Sequence, residues 1–86
     1  MVVAQVLIVD DCSDNILAVQ KILHEFNIDS EFSKEGNEAL NMVQNMFEHN
    51  HQVYKLIFID FGMPECDGPE IARNIRGYLN DHSSSE

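Results

Sequence analysis

Two apolar runs in this chain each end in acid. Val6-Leu7-Ile8-Val9 is followed by Asp10-Asp11, and Leu56-Ile57-Phe58-Ile59 is followed by Asp60, then Met63-Pro64 and Asp67-Gly68. A buried β-strand that ends in carboxylates delivers them to one edge of a sheet. Two such strands side by side gather Asp10, Asp11 and Asp60 into one pocket. Carboxylates that close repel one another strongly unless a cation sits among them. Mg2+ is a hard cation that takes oxygen ligands and keeps several waters; one or two carboxylates with a backbone carbonyl suit it. Asp11 and Asp60 are the expected direct ligands, and Asp10 is expected to act through a bound water or hydrogen bonds. A carboxylate is also a nucleophile toward phosphorus and gives an aspartyl phosphate. The metal neutralises incoming phosphoryl oxygens and orients them for in-line attack, which makes Asp60 both ligand and acceptor. A purely structural role, capping a helix or ending a strand, suits Asp14 or Asp67 taken singly. Three acids at one sheet edge are costly without a purpose.

The elements that must position these acids follow from the apolar spacing. Val3–Val9 is short, continuous and rich in Val, as a fully buried strand is. Ser13 or Asp14 can cap a helix to about Phe26, with Ile16, Val19, Ile22, Leu23 and Phe26 as its apolar stripe. Residues 28–33 form a weaker, more polar strand suited to a sheet edge. Gly36-Asn37 opens a second helix with Ala39, Leu40, Val43, Met46 and Phe47 on one face. Glu48–Val53 is a polar loop, and Lys55–Ile59 a second strongly apolar strand. Asp67 caps a third helix with Pro69 in its first turn, and Ile71, Ala72, Ile75 and Leu79 line its face. From Asn80 the chain becomes polar. Residues 1–80 are one domain and 81–86 a polar tail.

This β-α-β-α-β-α alternation implies an α/β fold, a parallel sheet with helices on both faces and right-handed crossovers. In strand order 2-1-3 the crevice between strands one and three is a topological switch point, where α/β proteins bind ligands. Asp10, Asp11 and Asp60 all end there.

Composition narrows the partners. Fifteen Asp and Glu against five Lys and Arg give a formal charge of −10. That balance argues against nucleic acid and against an anionic membrane as direct ligands, and favours a divalent cation or a basic partner. Apolar residues make up 44% of the chain, too many for a disordered one. No run is long enough to span a bilayer, and residues 1–9 have no basic lead, so a cytoplasmic location is expected. Cys12 and Cys66 lack metal-ligand spacing and are expected to be free thiols near the pocket. His49 and His51 lie in the polar connector with no third ligand in view.

The residues resemble the response-regulator receiver domain of two-component phosphorelays. Val6–Asp11 looks like that family's first strand and acidic pair. Leu56–Asp60, Met63-Pro64 and Asp67-Gly68 look like its phospho-acceptor strand and following loop, and Gly36-Asn37-Glu38-Ala39-Leu40 like the start of its second helix. The resemblance implies a partial flavodoxin-like fold that lacks the last two strands and helices. It implies that Asp60 accepts phosphate from a histidine kinase or a histidine phosphotransfer protein. It places Mg2+ on Asp10, Asp11 and Asp60 with the backbone carbonyl of Gly62. It implies a signalling module rather than an enzyme.

The family adds a fourth strand ending in Thr or Ser and a fifth ending in Lys, whose hydroxyl and ammonium bind phosphoryl oxygens. Residues 61–86 supply neither. Ser83, Ser84 and Ser85 have no strand beneath them, and Lys55 starts its strand at the wrong end of the sheet. The third strand is then an open edge and the face under the first helix is partly bare, so self-association through the open edge is expected. The alternative reading is a non-phosphorylated interaction module that keeps the kinase-docking surface around Ile16–Phe26. An aspartate-nucleophile phosphatase needs a second acid two residues after the nucleophile, where Asp60 has Gly62 and Asp10 has Cys12. A nucleotide-binding fold needs a glycine-rich turn after the first strand, and Asp10-Asp11-Cys12-Ser13 has none.

Overall fold

A computed structural model describes residues 4–60, 62, 63 and 68–83. Three strands alternate with three helices: β1 (Val6–Val9), α1 (Ser13–Glu25), β2 (Ser30–Ser33), α2 (Gly36–Asn50), β3 (Leu56–Ile59) and α3 (Gly68–Ser83). The strands form one parallel sheet in the order β2-β1-β3, the partial flavodoxin-like arrangement that the alternation predicts. β1 is central and all four of its residues are buried, because both faces of the sheet are covered there. Leu7 and Val9 point to the side of α2 and α3, where they pack with Ala39, Val43, Met46, Ile71 and Ile75. Val6 and Ile8 point to the other side, against Ile16 with Val19, Leu23 and Ile28.

The helices form where the stripes place them. Ala39, Val43 and Met46 are buried on one face of α2, and Ile71 and Ile75 on one face of α3. α1 closes on a paired hydrogen-bond motif: Ile28 N–H donates to the Leu23 carbonyl and Asn27 N–H to that of His24, each at 3.0 Å. That motif needs a left-handed residue, which Asn27 supplies at φ 60°. His51 ends α2 in the same conformation at φ 56°.

Several expectations are corrected. The first helix is not capped by Ser13 or Asp14; Cys12 is the N-cap and makes no side-chain cap bond. Its inward stripe is narrower than the spacing implies. Ile22 and Phe26 stay 57% and 71% exposed, since the narrow sheet reaches only Ile16, Val19 and Leu23. α2 continues through Asn50, so His49 is helical rather than in a connector. α3 continues through Ser83, past the Asn80 at which the polar composition begins. β1 and β2 are shorter than the apolar runs suggest. The cap expected of Asp67, and Cys66, lie outside the described residues.

The bare regions fall where they are expected. β3 pairs only with β1 among the described residues. Leu56 and Phe58, on the α1 side of the sheet, are 49% and 43% exposed, because α1 covers β1 and does not reach β3. Among the described residues no helix is long and apolar enough to cross a membrane.

Candidate functional site

The site is built at the carboxyl ends of β1 and β3. Asp10 follows β1 directly, and its amide donates to the Ser33 carbonyl at 3.0 Å, which ties it to the end of β2. Asp60 follows β3, and its amide donates to the Val9 carbonyl at 2.8 Å, which ties it to the end of β1. Parallel pairing therefore sets these two acids level. Asp11, one residue past Asp10, completes a cluster in which one carboxylate oxygen from each residue lies within 4.8 Å of the others. The sequence expectation that Asp10, Asp11 and Asp60 meet at one sheet edge matches this geometry. Asp10 and Asp60 are half-buried and Asp11 is exposed.

Local hydrogen bonds fix two of the three carboxylates. Asp10 Oδ1 accepts from the Cys12 amide at 2.9 Å and Oδ2 from Asn15 Nδ2 at 3.3 Å. These bonds hold Asp10 against the first turn of α1, where the helix dipole favours a negative charge. Asp60 Oδ1 accepts from the Gly62 amide at 2.9 Å, so the chain turns back over the acid. A Cβ at Gly62 would lie 3.4 Å from Asp60 Oδ1, an ordinary contact, and Gly62 has no positive φ. Glycine there is a matter of tolerance rather than of backbone need.

The donor set fits a hard divalent cation. It consists of carboxylate oxygens, it opens to solvent at Asp11, and it concentrates three negative charges. Among the described residues no basic side chain pairs with any of the three. Lys34, just past β2, instead donates to Ser13 Oγ at 2.6 Å. Lys55 lies at the opposite end of the sheet, where its amide donates to the Gln5 carbonyl.

Sequence reasoning passed over the supporting residues. Asn15 sits one turn into α1, five residues after Asp10, a spacing that brings its amide back to the strand end. Ser33 is buried; its hydroxyl accepts from the Glu35 amide and is within donating distance of the Glu35 carbonyl at 2.7 Å and Glu38 Oε1 at 2.9 Å. It braces the β2–α2 turn that carries the carbonyl holding Asp10. A small polar residue ending a strand before a Gly-opened helix was the available signal. Cys12 is an exposed free thiol at the start of α1.

Comparison with known proteins agrees with this geometry. The response regulator receiver domain matches residues 6–82. Hybrid signal transduction histidine kinase K of Dictyostelium discoideum is 35% identical over 78 residues, 91% of this chain and 6% of that protein. Peroxide stress-activated histidine kinase mak3 of Schizosaccharomyces pombe is 27% identical over 79 residues, 92% of this chain and 3% of that protein. Probable histidine kinase 1 of Oryza sativa subsp. indica is 29% identical over 77 residues, 90% of this chain and 7% of that protein. The chain thus spans 3 to 7% of the length of these relatives. With acids at the ends of β1 and β3 and a match across nearly all its residues, the chain belongs to the response regulator receiver domain family, the receiver module of two-component phosphorelay signalling.

Proposed function

We propose that the chain accepts a phosphoryl group on Asp60 from a phosphohistidine of a histidine kinase or a histidine phosphotransfer protein. The observation that carries this reading is the convergence of Asp10, Asp11 and Asp60 within 4.8 Å, with Asp60 anchored by both its own amide and its Oδ1. In the transfer an Asp60 carboxylate oxygen attacks phosphorus. The O–P bond forms as the N–P bond of the phosphohistidine breaks, and the electron pair returns to the imidazole nitrogen, which takes up a proton. Asp10, Asp11, Asp60 and the Gly62 carbonyl would hold Mg2+, which when bound neutralises charge on the phosphoryl oxygens. Asp10, pinned by Cys12 and Asn15, keeps the anionic surroundings of Asp60 in place.

The test is incubation with a phosphohistidine donor and Mg2+, with Asp60→Asn as control. Label on the wild type and none on the variant is expected; label retained by Asp60→Asn refutes the assignment. Assayed as these 86 residues alone, transfer should run slower than in a receiver with the Thr or Ser and the Lys of the later strands. Losing one preorganised group of that kind costs about 10²–10³ in rate. A second reading, a docking module that binds a kinase without being phosphorylated, draws on the α1 surface, where Leu17, Ile22 and Phe26 are exposed. Kinase binding that survives Asp60→Asn and is lost in Leu17→Glu would favour it.

A further inference from the structure

We infer that Asn15 sets the metal preference of the acidic site: by tying Asp10 back against α1 it leaves Asp11 and Asp60 as the carboxylates free to ligate directly, which suits Mg2+ and disfavours Ca2+. The inference rests on the reading that the three acids hold a divalent cation. The observation that carries it is that the three carboxylates are held unequally. Asp10 Oδ1 accepts from the Cys12 amide and Asp60 Oδ1 from the Gly62 amide, each at 2.9 Å, the same local bond from the backbone two residues on. Asp10 carries a second bond on its other oxygen, from Asn15 Nδ2 at 3.3 Å. Among the described residues no donor is bonded to Asp60 Oδ2 or to either oxygen of Asp11. Asp11 can therefore turn onto a cation and Asp60 can offer Oδ2, whereas a shift of Asp10 toward the cation breaks a bond.

Asn15 is the third residue of α1, which starts at Ser13. At this place in a helix a Glu or Gln folds back onto the N-cap amide. The shorter Asn15 reaches past the N-cap Cys12 and gives its amide to Asp10 instead. It is exposed, so core packing does not require it, and Asn is a poorer helix former than Ala. Cation chemistry gives the bond its consequence. Ca2+ takes about six to eight oxygens at roughly 2.3–2.6 Å in flexible geometry, so a third direct carboxylate strengthens its binding. Mg2+ needs a near-octahedral shell at roughly 2.0–2.1 Å and keeps several waters. An Asp10 fixed through one acceptor site on each oxygen still has acceptor capacity for one of those waters, and need not move to use it. Asn15 touches neither the cation nor a phosphoryl group, so it is a positioning residue acting through Asp10.

The experiment titrates the 86-residue chain and its Asn15→Ala and Asn15→Gln variants with MgCl2 and, separately, with CaCl2, following the backbone amides of Asp10, Asp11, Asp60 and Gly62. Losing one such outer restraint changes metal affinity about 10–100-fold, so the ratio of the Ca2+ Kd to the Mg2+ Kd should fall roughly tenfold in Asn15→Ala. Alanine at an exposed helical position favours the helix, so the variant keeps its fold. Asn15→Gln retains an amide donor on a longer arm and should restore most of the wild-type ratio. A merely structural role would weaken both ions together and leave the ratio unchanged. That result overturns the inference, as does a Gln variant that behaves like the Ala one. A wild-type chain that shows no Mg2+ shifts overturns the metal reading itself, and the inference with it; normal wild-type binding with an unchanged ratio in Asn15→Ala overturns the inference alone.

Discussion

Replacing Asp11 by Asn should make the metal-free chain more stable, although it removes a metal ligand. Asp11, Asp10 and Asp60 each place a carboxylate oxygen within 4.8 Å of the others. At that separation two unit charges repel by ~0.9 kcal/mol in water-like surroundings and by ~3.5 kcal/mol at an effective dielectric of about 20. Asp11 is exposed, so the lower figure applies. Asp10 adjoins Asp11 in the unfolded chain as well, so only the Asp11–Asp60 repulsion is specific to the folded state, and screening at about 0.1 M salt trims the gain to roughly 0.5 kcal/mol. For a domain of this size that is a rise in Tm of roughly 2–4 °C. Mg2+ should reverse the order. If the substitution weakens binding tenfold or more, the wild type gains at least ~1.4 kcal/mol over the variant at saturating metal. The assay is a pair of thermal melts in EDTA and in excess MgCl2, repeated in EDTA at 1 M KCl. A variant no more stable than the wild type in EDTA, or a gain that high salt leaves unchanged, would refute the electrostatic reasoning. NMR titration should show Mg2+ shifts at the loops carrying Asp10, Asp11 and Asp60 in the wild type and little in the variant.

Other outcomes follow from the packing. Leu7→Ala should cost about 2–5 kcal/mol, because Leu7 is fully buried between β1 and α2, whereas Leu17→Ala on the exposed face of α1 should change the denaturation midpoint little. Tyr54→Phe should cost about 1 kcal/mol by losing the hydrogen bond that Tyr54 donates to Glu31, measured by urea unfolding. Burial, then the hydrogen bond and charge of Glu31, push the Tyr54 phenol well above its ordinary range. The neutral phenol is therefore favoured in the folded chain. Its contribution should be intact below the unfolded tyrosine value of about 10 and fade as pH rises beyond it, a loss absent from Tyr54→Phe. His51→Gly should raise stability by roughly 0.5 kcal/mol, because His51 holds a left-handed φ of 56° that glycine adopts without steric cost.

The sequence alone determined the order of elements, the parallel sheet and the meeting of three acids. Each depends on local or near-local chemistry. A continuous apolar run between turn residues must be buried on both faces, and carboxylates that follow two such runs must emerge at the same sheet edge when the strands run parallel. Helix starts were legible where glycine marked the opening, as at Gly36. They were not legible at Ser13 and Asp14, where two good capping residues in a row were both passed over and Cys12 took the place. The helical spacing also overstated the buried stripe of α1, because a repeat of 3.6 describes a face and not the width of what covers it. A three-stranded sheet covers Ile16 and leaves Ile22 and Phe26 in water. Only the tertiary structure decided how Asp10 is held. Its partners come from α1 through Asn15 and from the end of β2 through Ser33, and no local pattern relates residues 10, 15 and 33.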